Sequence, residues 1–78
     1  MPNTLILIDR RDYPIKKVTA VVEWSGGGRD HVWVDDSGHG QFSGTGTVTF
    51  VQIPGETLKC FQAANGSSTI IAKSDFNH

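Results

Sequence analysis

Between positions 30 and 41 the chain reads Asp30-His31-Val32-Trp33-Val34-Asp35-Asp36-Ser37-Gly38-His39-Gly40-Gln41. Imidazoles and carboxylates this close together could ligate a divalent metal. The spacing argues against it. There is no His-x-His pair and no second cysteine. His31 falls on a strand and His39 in a turn, so they converge only if the turn folds back. A calcium loop of the EF-hand type alternates its carboxylates and ends on a distant Glu, and Asp35-Asp36-Ser37-Gly38 lacks that spacing. No metal and no other cofactor is expected.

Nucleophilic chemistry fares no better. Cys60 sits in the run Leu58-Lys59-Cys60-Phe61 with no local base, so it reads as a small core residue rather than an activated thiolate. The many serines lack a Gly-x-Ser-x-Gly setting, and the glycine-rich stretches lack the Gly-Lys-Ser/Thr ending of a phosphate loop. Asn65-Gly66-Ser67 matches a glycosylation sequon but reads first as a turn. The chain is therefore expected not to be an enzyme.

Recognition is the chemistry that remains. If Val32 and Val34 face the core, strand alternation turns His31 and Trp33 outward. Trp33 would then stand on an exposed face, and tryptophan combines large area with a polar N–H. The opposite phase would put Trp33 in the core. The candidate binding set is Arg29, His31, Trp33, Asp35, Asp36 and His39. Trp24 continues the Val18, Ala20, Val22 face and is expected to be core.

The elements that must position these residues are strands. The apolar period is two rather than 3.6 throughout. Strands are predicted over residues 4–8, 15 or 16 to 24, 31–34, 57–63 and 69–73. The first, a dense aliphatic run, is expected to be covered on both faces. A further strand begins at Gln41 and Phe42, is interrupted by Gly44 and Gly46, and continues over 47–53; the interruption suggests a bulge or a close backbone approach. Ser-Gly-x-Gly occurs at 25, 37 and 43 as repeated turn chemistry. Pro54-Gly55 is ordered for a type II turn, and Asn65-Gly66 for a type I′ hairpin. Residues 74–78 read as a frayed polar tail. Short strands at this spacing, joined by short connections, predict one all-β domain over 1–78. The preferred packing is a small, mostly antiparallel β-sandwich of six or seven strands, with a small open β-barrel as the alternative.

Two segments carry a family likeness. Val34-Asp35-Asp36-Ser37-Gly38-His39-Gly40-Gln41-Phe42, with Ile53-Pro54-Gly55-Glu56-Thr57-Leu58, resembles the Asp-x-x-Gly-x-Phe and Pro-Gly rhythm of transthyretin-like and carboxypeptidase-regulatory-like domains. An extra residue precedes Gln41-Phe42, and Leu58 stands where an aromatic is usual. The resemblance covers about 25 residues. It implies a small β-sandwich with a binding or structural role and transfers no catalytic residue.

Composition narrows the partner. Seven basic residues face eight acidic ones, for a net charge of −1. Nucleic-acid binders usually carry a basic excess. No run approaches a membrane span or the apolar core of a signal peptide, so a cytoplasmic protein is expected, with a virion component left open. A 78-residue chain buries only about 60% of its unfolded surface, which leaves little volume for a deep cleft. The reading is a non-catalytic protein-binding or assembly module that contacts a protein partner or itself, in the style of a phage or mobile-element accessory protein. One alternative is a nucleic-acid-binding small barrel, with Arg10, Arg11, Lys16, Lys17 and Arg29 on phosphates and Tyr13, Trp33 and Phe42 stacking bases. Another is a carbohydrate-binding module with Trp33 as the sugar platform.

Overall fold

In a computed structural model of the chain, residues 3–44, 47–62 and 69–78 are described. They form seven strands and no helix: β1 Asn3–Ile8, β2 Thr19–Trp24, β3 Arg29–Trp33, β4 His39–Phe42, β5 Val48–Ile53, β6 Glu56–Gln62 and β7 Thr69–Lys73. The predicted all-β class holds. One sheet runs in the order β3-β2-β5-β6-β7-β1-β4 and curls until its two edges, β3 and β4, nearly meet. Its closure makes it barrel-like, the open form of the two packings expected from sequence. The turn at Asn65-Gly66 lies outside the described residues.

All neighbouring pairs are antiparallel except β1 and β7, which are parallel with Leu5 opposite Ile70 and Leu7 opposite Ala72. That one parallel pair has no signature in the sequence. It also seats β1 between the last strand and β4.

Alternation sends one residue in two into a single core. Leu5 and Leu7, Ala20 and Val22, Val32 and Val34, and Val51 and Ile53 are all buried there. Phe42, Leu58, Ile70 and Ala72 complete the strand contribution, and Ile15 caps it from the loop after β1. β1 was expected to be covered on both faces. Instead Ile6 and Ile8 are only half-buried, because the outer face of a closed sheet is covered only by neighbouring side chains. β2 starts at Thr19 rather than at residue 15 or 16, since Lys17 takes a left-handed φ of 53° that breaks the pleat.

Residues 41–42 and 47–53 are not one interrupted strand. β4 pairs with β1, whereas β5 lies between β2 and β6. Gly44 lies where the chain leaves β4 to cross to β5. At Gly44 the chain passes so close to the Trp24 indole that a Cβ would overlap the ring. The seam between the two sheet edges also depends on a glycine. A Cβ on Gly40 would lie 2.6 Å from Val32 Cγ1 and 2.8 Å from the Trp33 carbonyl oxygen.

Strand direction gives the barrel two distinct ends. β1, β3, β5 and β7 run one way, so residues 9–18, 34–38, 54–55 and 74–78 emerge together at one end. Residues 25–28 and 43–44 lie at the other.

Candidate functional site

The first end is built from a turn used twice. Asp9 follows β1 directly, and Asp35 follows β3 after one intervening residue. Asp9 Oδ1 accepts the N–H of Arg11 at 2.8 Å and of Tyr13 at 3.0 Å. Asp35 Oδ1 accepts the N–H of Ser37 at 2.9 Å and of His39 at 3.1 Å. In both, the aspartate N–H donates to the carbonyl four residues on, and its own carbonyl accepts from the N–H three residues on. That third residue has positive φ in each case, 67° at Asp12 and 79° at Gly38. Short aspartates favour such turns because the carboxylate replaces backbone partners that a strand would have supplied.

The two carboxylates differ in setting. Asp35 is exposed, and its pKa is lowered by the Ser37 hydroxyl at 2.6 Å and by the His39 and Ser37 N–H groups. Asp9 is fully buried. Burial alone would raise its pKa, but the N–H groups of Tyr13, Arg11 and His78, together with the Arg11 guanidinium at 3.6 Å, hold it below the ordinary carboxylate value. The third of those donors ties residues 74–78 to the barrel. Ser74 is buried and its N–H donates to the Ile8 carbonyl at 2.9 Å. The Arg10 N–H donates to the Phe76 carbonyl at 3.0 Å. The segment expected to fray is thus placed against the loop after β1.

These fixed loops display aromatic side chains. Tyr13 is 59% exposed, Trp33 61% and Phe76 63%, and all three belong to the same end of the barrel. The Arg11 guanidinium stacks over the Tyr13 ring at 4.9 Å. Trp33 is the last residue of β3, opposite Thr19 of β2, with its side chain on the outer face as strand alternation allowed. Trp24 packs inward against Phe42, with ring centroids 5.6 Å apart, and its Nε1–H donates to Asp30 Oδ2 at 2.6 Å.

The other predicted residues are spread along the barrel from one end to the other. Asp35, Asp36 and His39 lie with Trp33 around the second aspartate turn, and Asp36 pairs with Lys17 at 3.3 Å. His31 is exposed in mid-strand opposite Val21. Arg29 begins β3 at the far end and pairs with Glu23 at 3.3 Å, so the structure does not bring it to Trp33. Among the described residues no group of three or more His, Cys, Asp or Glu gathers to hold a metal. Phe42 is buried and cannot stack on a base.

Sequence reading missed a second polar cluster at the same end. Glu56 hydrogen-bonds the Ser74 hydroxyl through one carboxylate oxygen and His78 Nε2, at 2.8 Å, through the other. Ser74 Oγ also lies 3.1 Å from that same Nε2. A serine triad needs its hydroxyl and its acid on opposite ring nitrogens, with the hydroxyl accessible. Here both partners share one nitrogen and Ser74 is 1% exposed, so the cluster fastens the segment and does not form a relay. An open groove of about 380 Å³, lined by Gln52, Ile53, Gly55, Glu56 and Thr57, adjoins it. Cys60 is half-buried, and desolvation pushes its thiol up to about 11, which keeps it protonated near neutrality. The sequence signal for Asp9 was present: an aspartate directly after an apolar strand, with further polar residues behind it. It was obscured because the positive-φ position is Asp12 rather than glycine.

Among the described residues no helix is long and apolar enough to cross a membrane. Set against protein-family models, curated proteins and solved structures, the chain has no match in any of the three.

Proposed function

We propose that this chain is a non-catalytic protein-binding module whose contact surface is the barrel end that carries Tyr13, Trp33 and Phe76. The observation that supports this reading is their joint exposure on backbone held by two aspartate turns. Exposed aromatics cost solvation, and a rigid backbone beneath them lowers the entropy lost on binding. Tyrosine, tryptophan and arginine are the residue types that concentrate binding energy at interfaces. The seam between β3 and β4 lies beside Trp33, where Gly40 lets the two sheet edges approach closely.

The test compares capture by the wild-type chain with capture by a triple variant, Tyr13→Ser, Trp33→Ser and Phe76→Ser, whose fold is verified by circular dichroism. A discrete protein held by the wild type through nuclease and high salt, and lost by the variant, supports the reading. Equal capture by both chains refutes it. Nucleic acid eluting with salt would favour the small-barrel alternative instead.

A further inference from the structure

We infer that the partner seated on this end presents an acidic segment of a protein chain, with carboxylates that meet Arg10 and Lys16 and apolar side chains that meet Tyr13 and Phe76. This rests on the binding reading above and specifies its partner.

The charges around the end are mostly cancelled; among the carboxylates, exposed Asp35 is held by Ser37 and His39 and pairs with no Lys or Arg. Lys17 pairs with Asp36, Lys59 with Asp75 and Lys73 with Asp12, at 3.3, 3.3 and 2.7 Å. Arg11 shares the buried Asp9 carboxylate and lies over Tyr13. Arg29 is paired at the opposite end. Two of the chain's seven cations remain, Arg10 and Lys16, and among the described residues no carboxylate lies within 4.0 Å of either. Both are exposed, and both lie on the segment that carries Tyr13.

Position makes Arg10 more than a solvated charge. Its backbone is the joint between the two aromatic segments, since its N–H holds the Phe76 carbonyl while the next residue's N–H is held by Asp9. A guanidinium at that joint can take a carboxylate in two parallel hydrogen bonds. The flanking rings offer apolar area to whatever side chains accompany it. A polyphosphate fits less well. Its charges are continuous, whereas exposed Asp12, Asp35, Asp36 and Asp75 stand among the cations of this end. A peptide can place its carboxylates discretely.

The full chain, isotopically labelled, would be titrated with a short peptide of alternating Glu and Leu and followed by amide chemical shifts. Parallel titrations would use the same peptide with Lys in place of Glu, and a short oligothymidine. The expected result is saturable binding of the acidic peptide, with shifts concentrated at residues 10–16 and 74–78. The double variant Arg10→Glu, Lys16→Glu should bind it at least about tenfold more weakly, while its amide spectrum elsewhere stays unchanged. The inference is overturned by the absence of saturable binding, by shifts centred elsewhere, by equal affinity in the double variant, or by preference for the Lys peptide or the oligonucleotide. If the acidic peptide fails while the aromatic triple variant still loses its captured partner, only the charge assignment falls. If the triple variant also captures normally, the binding end itself is wrong.

Discussion

The two tryptophans provide an internal control that separates display from packing. Trp33 is 61% exposed, so roughly two-fifths of a side chain of about 200 Å² is covered, or about 80 Å². At about 25 cal/mol per Å² that area is worth at most about 2 kcal/mol, and the alanine that replaces it keeps part of the contact. Trp33→Ala should therefore cost about 1 kcal/mol, a fall in Tm of about 4–8 °C for a domain of this length. Trp24 differs in every respect. It packs on Phe42, donates to Asp30 and has Gly44 pressed against its ring. Trp24→Ala removes a large core-lining ring and leaves Asp30 without its donor, so about 3–5 kcal/mol is expected. Urea unfolding of the two variants, monitored by far-UV circular dichroism, measures both. If Trp33→Ala costs as much as Trp24→Ala, Trp33 is a packing residue, and the surface role given to it fails.

Other perturbations test the frame. Gly40→Ala should destabilise by about 1–3 kcal/mol, the usual cost of overpacking, because the new Cβ meets Val32 and the Trp33 carbonyl; an unchanged Tm would mean the seam is loose. The two aspartate turns predict substitutions of unequal cost. Gly38→Ala forces an L residue to φ 79° and a Cβ to 2.8 Å from that of Pro14, and should lower Tm, whereas Asp12→Gly relieves φ 67° at the loss of one exposed ion pair and should lower it far less or raise it; the reverse ranking would refute the shared geometry. Asp9 and Asp35 both have pKa values below the ordinary 3.8. The unfolded chain therefore takes up their protons first, so their contribution is complete above about pH 4 and is lost as pH falls further. Urea midpoints should drop on acidification in that window and drop less in Asp9→Asn, Asp35→Asn; a flat wild-type profile would contradict this. Alkylation of Cys60 should be slow at neutral pH and accelerate towards about pH 11, and fast labelling at pH 7 would show an open strand β6.

Much of the fold was legible locally. Period-two alternation located the strands but left the phase of β3 open; the structure buries Val32 and Val34 and turns Trp33 outward. Pro54-Gly55 predicted its turn correctly: Ile53 pairs with Glu56 across it, and Gly55 has φ 83°. Strand order was not legible, because the parallel match of Thr4–Ile8 with Thr69–Lys73 leaves no mark near either segment. For the same reason 41–53 read as one broken strand, since nothing local says that its halves pair with different neighbours. Within the site, Trp33 and the Asp35 turn were visible, while Tyr13 and Phe76 were not singled out together. Their association depends on a buried aspartate whose donors come from residues 11, 13 and 78, and a contact over that separation follows from topology rather than from pattern.

The parallel pairing of β1 with β7 also governs the order in which the chain can fold. β2 with β3 and β5 with β6 pair across short loops, and such contacts form early because little loop entropy opposes them. β1 has no such neighbour: both of its partners, β4 and β7, lie far along the chain. During synthesis Leu5 and Leu7 must remain without their cover until residues 69–73 have emerged. An aliphatic strand left waiting in this way is the segment most exposed to mispairing. On this order β1 docks after the main folding barrier, so substitutions at Leu5 or Leu7 should speed unfolding more than they slow folding.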